Sequence, residues 1–258
     1  MQQKIVMSEP MLGVIELRLN RPDKYNAIDF ECMDQLKLSF EAIKDRKDLK
    51  ALIITGEGDK AFCSGGDIKV FHALKTQKEA YQMLSKMGDI LYELMTFPVP
   101  TYALLNGVAL GGGCEIATAC DFRLAKQGVS VGFIQGQLAI TTGWGGATML
   151  LEKLRYDQAM SLLYSADKIL VEEAESLGFI NKVFSSEDDF YPVTYKFIEN
   201  SLVTDPNVIR AYKSIKVNQW KQTGLHNRMM SEIYNCSVLW ELDEHHQAVA
   251  NFMSRKKE

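Results

Sequence analysis

The segment Asn106-Gly107-Val108-Ala109-Leu110-Gly111-Gly112-Gly113-Cys114-Glu115 sets three consecutive glycines in front of a helical stretch. The first backbone N–H groups of such a helix have no intrahelical partner, so the turn attracts developing negative charge. Glu115 stands one turn inside it, where a carboxylate is also favoured simply by the positive end of the helix. A second loop, Ala61-Phe62-Cys63-Ser64-Gly65-Gly66-Asp67-Ile68, carries two adjacent glycines where a strand should hand over to a helix, and there the backbone can approach a ligand closely. Either loop alone is an ordinary chain reversal. Together they point to a site.

Other reactive side chains fit plainer readings. Cys63 and Cys114 flank the loops, but no histidine lies near either in sequence, so both thiols read as small buried packing groups. His72 follows the first loop and has the right intrinsic titration range for proton transfer, with a surface position expected. His245 and His246 adjoin Glu241, Asp243 and Glu244 and read as a solvated helix face without metal-ligand spacing.

The elements that must hold the loops follow from periodicity. Val14 to Leu19 alternates as a strand, with Ile15, Leu17 and Leu19 on one face and Glu16 and Arg18 on the other. Asp29 is an N-cap for a helix whose apolar side chains Phe30, Met33, Leu36, Phe40 and Ile43 recur at helical spacing. Ala51 to Thr55 is a short buried strand, and a long helix covers about Lys78 to Met95. Strands at Thr101 to Leu105 and Phe122 to Ala125 enclose the helix that runs from Gly113 to Ala119. A third glycine cluster lies at Gly143, Gly145 and Gly146, and beyond Ser185 the pattern is almost wholly helical. This is a β–α–β rhythm with helical crossovers and no visible sequence repeat.

The chain has 258 residues, 47% of them hydrophobic, enough for one main domain with an appendage. A net charge of −4 provides no basic field to draw nucleic acid or an anionic membrane. Five scattered cysteines without a C-x-x-C pair read as reduced and buried. The start lacks the apolar run of a secretory signal and no stretch reaches spanning length, so a cytoplasmic protein is expected.

Ala61 to Ile68 and Gly107 to Asp121 resemble the two oxyanion-hole segments of the crotonase, or enoyl-CoA hydratase/isomerase, family. Asn20-Arg21-Pro22-Asp23-Lys24-Tyr25-Asn26-Ala27 is similar to that family's early CoA-contacting loop, and Ala174 to Ile180 to its later helix-to-strand signature. The resemblance implies an α/β fold, a ββα superhelix over residues 1–187 with a helical trimerisation region at 188–258, assembled as a homotrimer or a dimer of trimers. It implies an acyl-CoA substrate, with coenzyme A present as part of that substrate and no permanently bound cofactor or metal. The N–H groups of Ser64 and Gly112 would bind the thioester oxygen. Lys24, Asn26, Ala27, Gly66, Asp67, Ile68, Gly111 and Trp144 would line the substrate, and Phe252 and Arg255 would touch the CoA of a neighbouring subunit.

A hydratase of this family presents two glutamates. Glu115 matches the first, but the second position is Gln135, and an amide does not exchange a proton near neutral pH. Fast hydration is therefore not expected, which leaves chemistry that needs an enolate and one proton-transfer group, namely double-bond isomerisation or decarboxylation of a malonyl-type thioester. Thr118 to Leu124, with Trp144-Gly145-Gly146, resembles the ethylmalonyl-CoA decarboxylase branch, and the indole of Trp144 would shorten the acyl pocket in favour of small or branched groups. A non-catalytic CoA-binding or RNA-binding relative is disfavoured by the retained Glu115 and the acidic balance. A Clp-like serine peptidase would need a histidine in a triad, which no motif supplies.

Overall fold

The computed structural model describes residues 3–255, with the side chain of Arg255 outside the described residues. The chain opens with an antiparallel hairpin, β1 (Ile5–Met11) and β2 (Val14–Leu19), followed by α1 (Phe30–Ile43). Asp29 caps α1 as its sequence suggests, accepting the Cys32 N–H at 2.9 Å.

Three turns of one plan follow. In the first, β3 (Ala51–Gly56) leads into the short β4 (Ala61–Cys63) and then α2 (Ile68–Phe71) and α3 (Gln77–Met95). In the second, β5 (Thr101–Leu105) and β6 (Val108–Leu110) precede α4 (Gly112–Ala119). In the third, β7 (Phe122–Lys126) and β8 (Ser130–Gly132) run into a short 3-10 turn at Ile134–Leu138, then α5 (Gly146–Leu151) and α6 (Tyr156–Ser165). The series closes with β9 (Ile169–Leu170), α7 (Val171–Ser176) and β10 (Lys182–Phe184), and ends in α8 (Phe190–Ser201), α9 (Pro206–Gln222), α10 (Leu225–Trp240) and α11 (Asp243–Arg255).

The first strand of each turn joins a six-stranded sheet of order β1-β2-β3-β5-β7-β10, and the second joins a four-stranded sheet of order β4-β6-β8-β9. This alternation is the ββα superhelix. It repeats in space without repeating in sequence, because each turn needs only an apolar strand, a glycine turn and an amphipathic helix. The strands legible in the sequence are those of the large sheet. Those of the small sheet are two or three residues long, too short to show alternation.

The alternation of β2 is real, but its polar face is not solvated. α8 roofs it, so Glu16 is 1% exposed and accepts hydrogen bonds from the Tyr195 hydroxyl at 2.5 Å and the Arg18 guanidinium at 2.6 Å. The central parallel strands are thereby covered on both faces, so β3 and β5 are buried throughout and largely apolar. Helices after residue 188 pack on the core of their own chain: α8 seals the second core cluster with Phe190 and Ile198, and α10 lies along α3 and α5. All five cysteines are free and buried. Among the described residues, no helix is long and apolar enough to cross a membrane.

Candidate active site

α4 is a short helix whose two ends are handled differently. Its far end, at the Cys120 carbonyl, receives the buried guanidinium of Arg123, a cation where the helix dipole favours one, and the amine of Lys153. Its start is packed against β4 and the Gly143–Gly146 loop so closely that side chains are excluded. A Cβ on Gly112 would sit 2.1 Å from the Trp144 ring, and one on Gly146 would sit 2.5 Å from Cγ of Glu115.

Glu115 is buried, at 2% exposure, contrary to the plain reading of an exposed first-turn acid. Its Oε1 accepts the N–H groups of Trp144 at 2.8 Å and Gly146 at 2.9 Å, and its Oε2 accepts Nε2 of Gln135 at 2.8 Å. Burial, and next the charge of Glu232, push its carboxyl up to about 8, a rise that these hydrogen bonds only partly offset. The rise favours the protonated form of this carboxyl at neutral pH. Gln135 lies beside Glu115, as counted from the sequence, and its own Oε1 has no hydrogen-bond partner among the described residues.

The amide expected to be the first oxyanion donor is not open. The Ser64 N–H donates to the Tyr25 carbonyl at 3.0 Å and is spent inside the protein. The bridge between Ile28 and Gly66 engages the Gly65 carbonyl and the Asp67 N–H, and leaves the N–H of Gly66 without a partner among the described residues. The N–H of Gly112, at the first position of α4, has none either. Both glycines face the same buried indole, with Trp144 carbon atoms 3.7 Å and 2.1 Å from the Cβ positions that Gly66 and Gly112 lack. The displacement of two residues arises from the register of that bridge, which no local pattern reveals.

The remaining substrate-loop residues divide. Asn26 does not offer its side chain to a ligand: Oδ1 accepts the Arg21 N–H at 3.0 Å, and Nδ2 donates to the carbonyls of Glu57 and Ala61 at 3.0 and 2.7 Å. These bonds hold it in the left-handed region at φ +55, where Asn is tolerated. Asp67 is likewise engaged, by Arg21 at 2.9 Å, and Arg21 also binds the Ala27 carbonyl at 2.6 Å. Lys24 is exposed, Ala27 buried and Ile68 half-buried at the start of α2, while the Gly111 N–H is taken by the Gly132 carbonyl at 2.8 Å. Phe252 lies in α11, and the side chain of Arg255 falls outside the described residues.

His72 ends α2 beside Lys75, 3.5 Å away. His245 is not on a solvated face: it is 3% exposed, packs on Trp240 and pairs through Nδ1 with the Leu138 carbonyl at 2.7 Å. Burial pushes the Cys63 thiol up to about 12 and that of Cys114 still further, so neither is a nucleophile. Among the described residues, no group of three or more His, Cys, Asp or Glu could hold a metal ion.

Two participants escaped the sequence reading, Arg21 and Glu232. Arg21 sits in a turn where nothing marks its partners. Glu232 carried a signal, an acid flanked by the apolar stripe Met229, Ile233, Cys236 and Trp240 on one helix.

The family profile described as enoyl-CoA hydratase/isomerase matches residues 9–258. The chain is 31% identical over 254 residues to a crotonyl-CoA hydratase of Syntrophomonas wolfei, covering 98% of this chain and 95% of that one. It is 32% identical over 240 residues to an ethylmalonyl-CoA decarboxylase of Bos taurus, covering 92% and 78%. The solved structure of an enoyl-CoA hydratase from Bacillus halodurans superposes with a TM-score of 0.87 at 21% identity, over 96% of this chain and 99% of that one. The protein belongs to the enoyl-CoA hydratase/isomerase (crotonase) family.

Proposed function

We propose that the protein decarboxylates a short or branched malonyl-type acyl-CoA, with Gly66 and Gly112 holding the thioester oxygen and Glu115 as the one proton-transfer residue. The observation that carries this reading is the buried Glu115, an acid at neutral pH whose neighbour at the second-carboxylate position is the amide of Gln135. In the reaction, the bond between the α-carbon and the free carboxylate breaks, carbon dioxide leaves, and the electron pair passes into the thioester as an enolate. Two preorganised N–H groups are suited to that oxyanion, each worth about 2.7–4 kcal/mol in sites of this kind. Glu115 then gives its proton to the α-carbon. Addition of water would need a second acid or base where Gln135 has none to offer. Double-bond migration by the same residue is the other reaction open to this arrangement, since it too needs one group to move a proton. The family likeness also supports assembly as a homotrimer or a dimer of trimers.

The test is mass spectrometry of products from ethylmalonyl-CoA, methylmalonyl-CoA, a 3-enoyl-CoA and crotonyl-CoA. Loss of carbon dioxide from the malonyl-type thioesters is expected. Rapid hydration of crotonyl-CoA without it would overturn the reading.

Two further results follow from the geometry. Decarboxylation consumes the acid form of Glu115, so its rate should fall as pH rises through about 8. By microscopic reversibility, exchange of the α-hydrogens of butyryl-CoA in D2O requires the carboxylate form, and that rate should rise through the same pH. Profiles that move in the same direction would rule Glu115 out. Trp144→Ala should shift the preferred acyl chain upward, because the indole is buried against both glycines. Each added methylene should gain on the order of fourfold in relative kcat/KM, the worth of burying one such group. An unchanged chain-length profile would remove Trp144 from the acyl pocket.

A further inference from the structure

We infer that Glu232 is a positioning residue of this site: from α10 it anchors the Thr142–Thr148 loop, whose amides cradle Glu115 and whose indole covers Gly66 and Gly112, and it sets a second carboxylate behind that loop. The inference rests on the reading of Glu115 as the proton-transfer group.

Oε1 of Glu232 accepts the Thr142 hydroxyl at 2.5 Å and the Ala147 N–H at 3.1 Å, and Oε2 accepts the Thr148 N–H at 2.7 Å. Ala147 and Thr148 are the second and third residues of α5, whose N-cap is Gly145, a residue with no side chain to satisfy them. Glu232 therefore supplies from another helix the cap that α5 lacks. The same loop sends the N–H groups of Trp144 and Gly146 the opposite way, to Glu115. The loop is held between two carboxylates that take different donors from it.

One face of α10 is built for this contact. Met229, three residues before Glu232, fills the space beside Gly145, and Cys236, four residues after it, meets the Thr141 carbonyl at 3.4 Å. A single helix face thus fixes the loop at both ends and in the middle.

The charges facing the pair do not compensate it. Cys236 and Cys114 are neutral thiols raised by burial, and the basic residues of α10 point elsewhere, His226 to Asp89 at 2.8 Å and Arg228 to Glu152 at 2.7 Å. Among the described residues, neither Glu115 nor Glu232 has a cationic partner within salt-bridge distance. Two carboxylates largely shielded from water, without a cation, resist double ionisation. Burial raises the Glu232 carboxyl too, but Glu232 is the less buried of the two and has hydrogen-bond donors on both oxygens, so it is the one placed to keep the charge. The proton then stays on Glu115, and the unpartnered Oε1 of Gln135 gives that O–H an acceptor once the amide turns over.

The experiment is the pH dependence of α-hydrogen exchange on butyryl-CoA in D2O, followed by mass spectrometry, for the native protein, Glu232→Gln, Glu232→Asp and Glu115→Gln. Glu232→Gln removes the charge, so the midpoint of the profile should fall by more than about 0.5 pH unit. Glu232→Asp keeps the charge but shortens the reach, so its midpoint should stay and its limiting rate should drop on the order of 10-fold or more, with KM within about threefold. A native midpoint in Glu232→Gln, or a native limiting rate in Glu232→Asp, overturns the inference. If Glu232→Gln does not fold by circular dichroism, the Glu232→Asp rate decides alone. Native exchange in Glu115→Gln is a different failure, that of the reading of Glu115 itself.

Discussion

Glu115→Gln should lower turnover by roughly 10²–10⁴-fold, the usual contribution of a positioned acid or base, while affinity for the acyl-CoA changes little. The substitution is isosteric, and the neutral amide replaces a group already neutral at pH 7, because burial and Glu232 hold its pKa at about 8. The Trp144 and Gly146 N–H groups can still donate to the amide oxygen, and Gln135, with Oε1 unpartnered, can turn to accept the new N–H. Steady-state kinetics beside a CoA-binding titration separates the two effects. Loss of binding equal to the loss of rate would make Glu115 structural.

The same variant has a stability signature with a definite sign. In the folded protein Glu115 holds its proton up to about 8, whereas an unfolded carboxyl releases it near 4.5. Between these values the native state binds more protons than the unfolded state, so this residue makes the native protein less stable as pH rises through that window. Glu115→Gln removes that slope. Urea unfolding at pH 5 and pH 8 should show the variant gaining on the native protein at the higher pH, and the reverse order would contradict the raised pKa.

Gly112→Ala should damage the site severely. The new Cβ would lie 2.1 and 2.4 Å from two carbons of the Trp144 ring, which is itself 4% exposed and fixed by its neighbours. Overpacking of this kind costs about 1–3 kcal/mol of stability. Moving the indole also disturbs the donors that surround Glu115, since the Trp144 N–H is one of them. A loss of 10²–10³ in kcat is expected, comparable to removing one oxyanion donor. The double variant Gly112→Ala/Trp144→Ala relieves the clash and should recover stability relative to Gly112→Ala, a coupling that a double-mutant cycle measures. Additive losses would show that the two groups do not touch.

Much of this was legible before any coordinates. Periodicity located β2, β3, β5 and β7 and the helices α1, α3 and α4, because each carries its own apolar spacing within a short window. The glycine runs and Glu115 marked the candidate site, since glycine before a helix leaves amides open wherever the chain goes next. The pairing of Glu115 with Gln135, 20 residues apart, followed from the motif count and is a direct 2.8 Å contact.

What the sequence alone could not decide was which groups remain free once the segments meet. Ser64 and Gly66 are equally plausible donors along the chain, and only the bridge from Ile28 and the Tyr25 carbonyl consume one and leave the other. Asn26 reads as a ligand contact until its amide is found tied to Glu57 and Ala61, and His245 reads as solvated until Leu138 and Trp240 enclose it. Glu232, 117 positions after Glu115, reaches the site because α10 lies on α3 and α5. Composition and spacing thus determined the elements and the glycine turns, properties of local chain, while the family resemblance singled out the candidate acid. Tertiary packing decided which amides stay open and how deeply that acid is buried, because hydrogen-bond partners and burial depend on residues that meet only in the folded molecule.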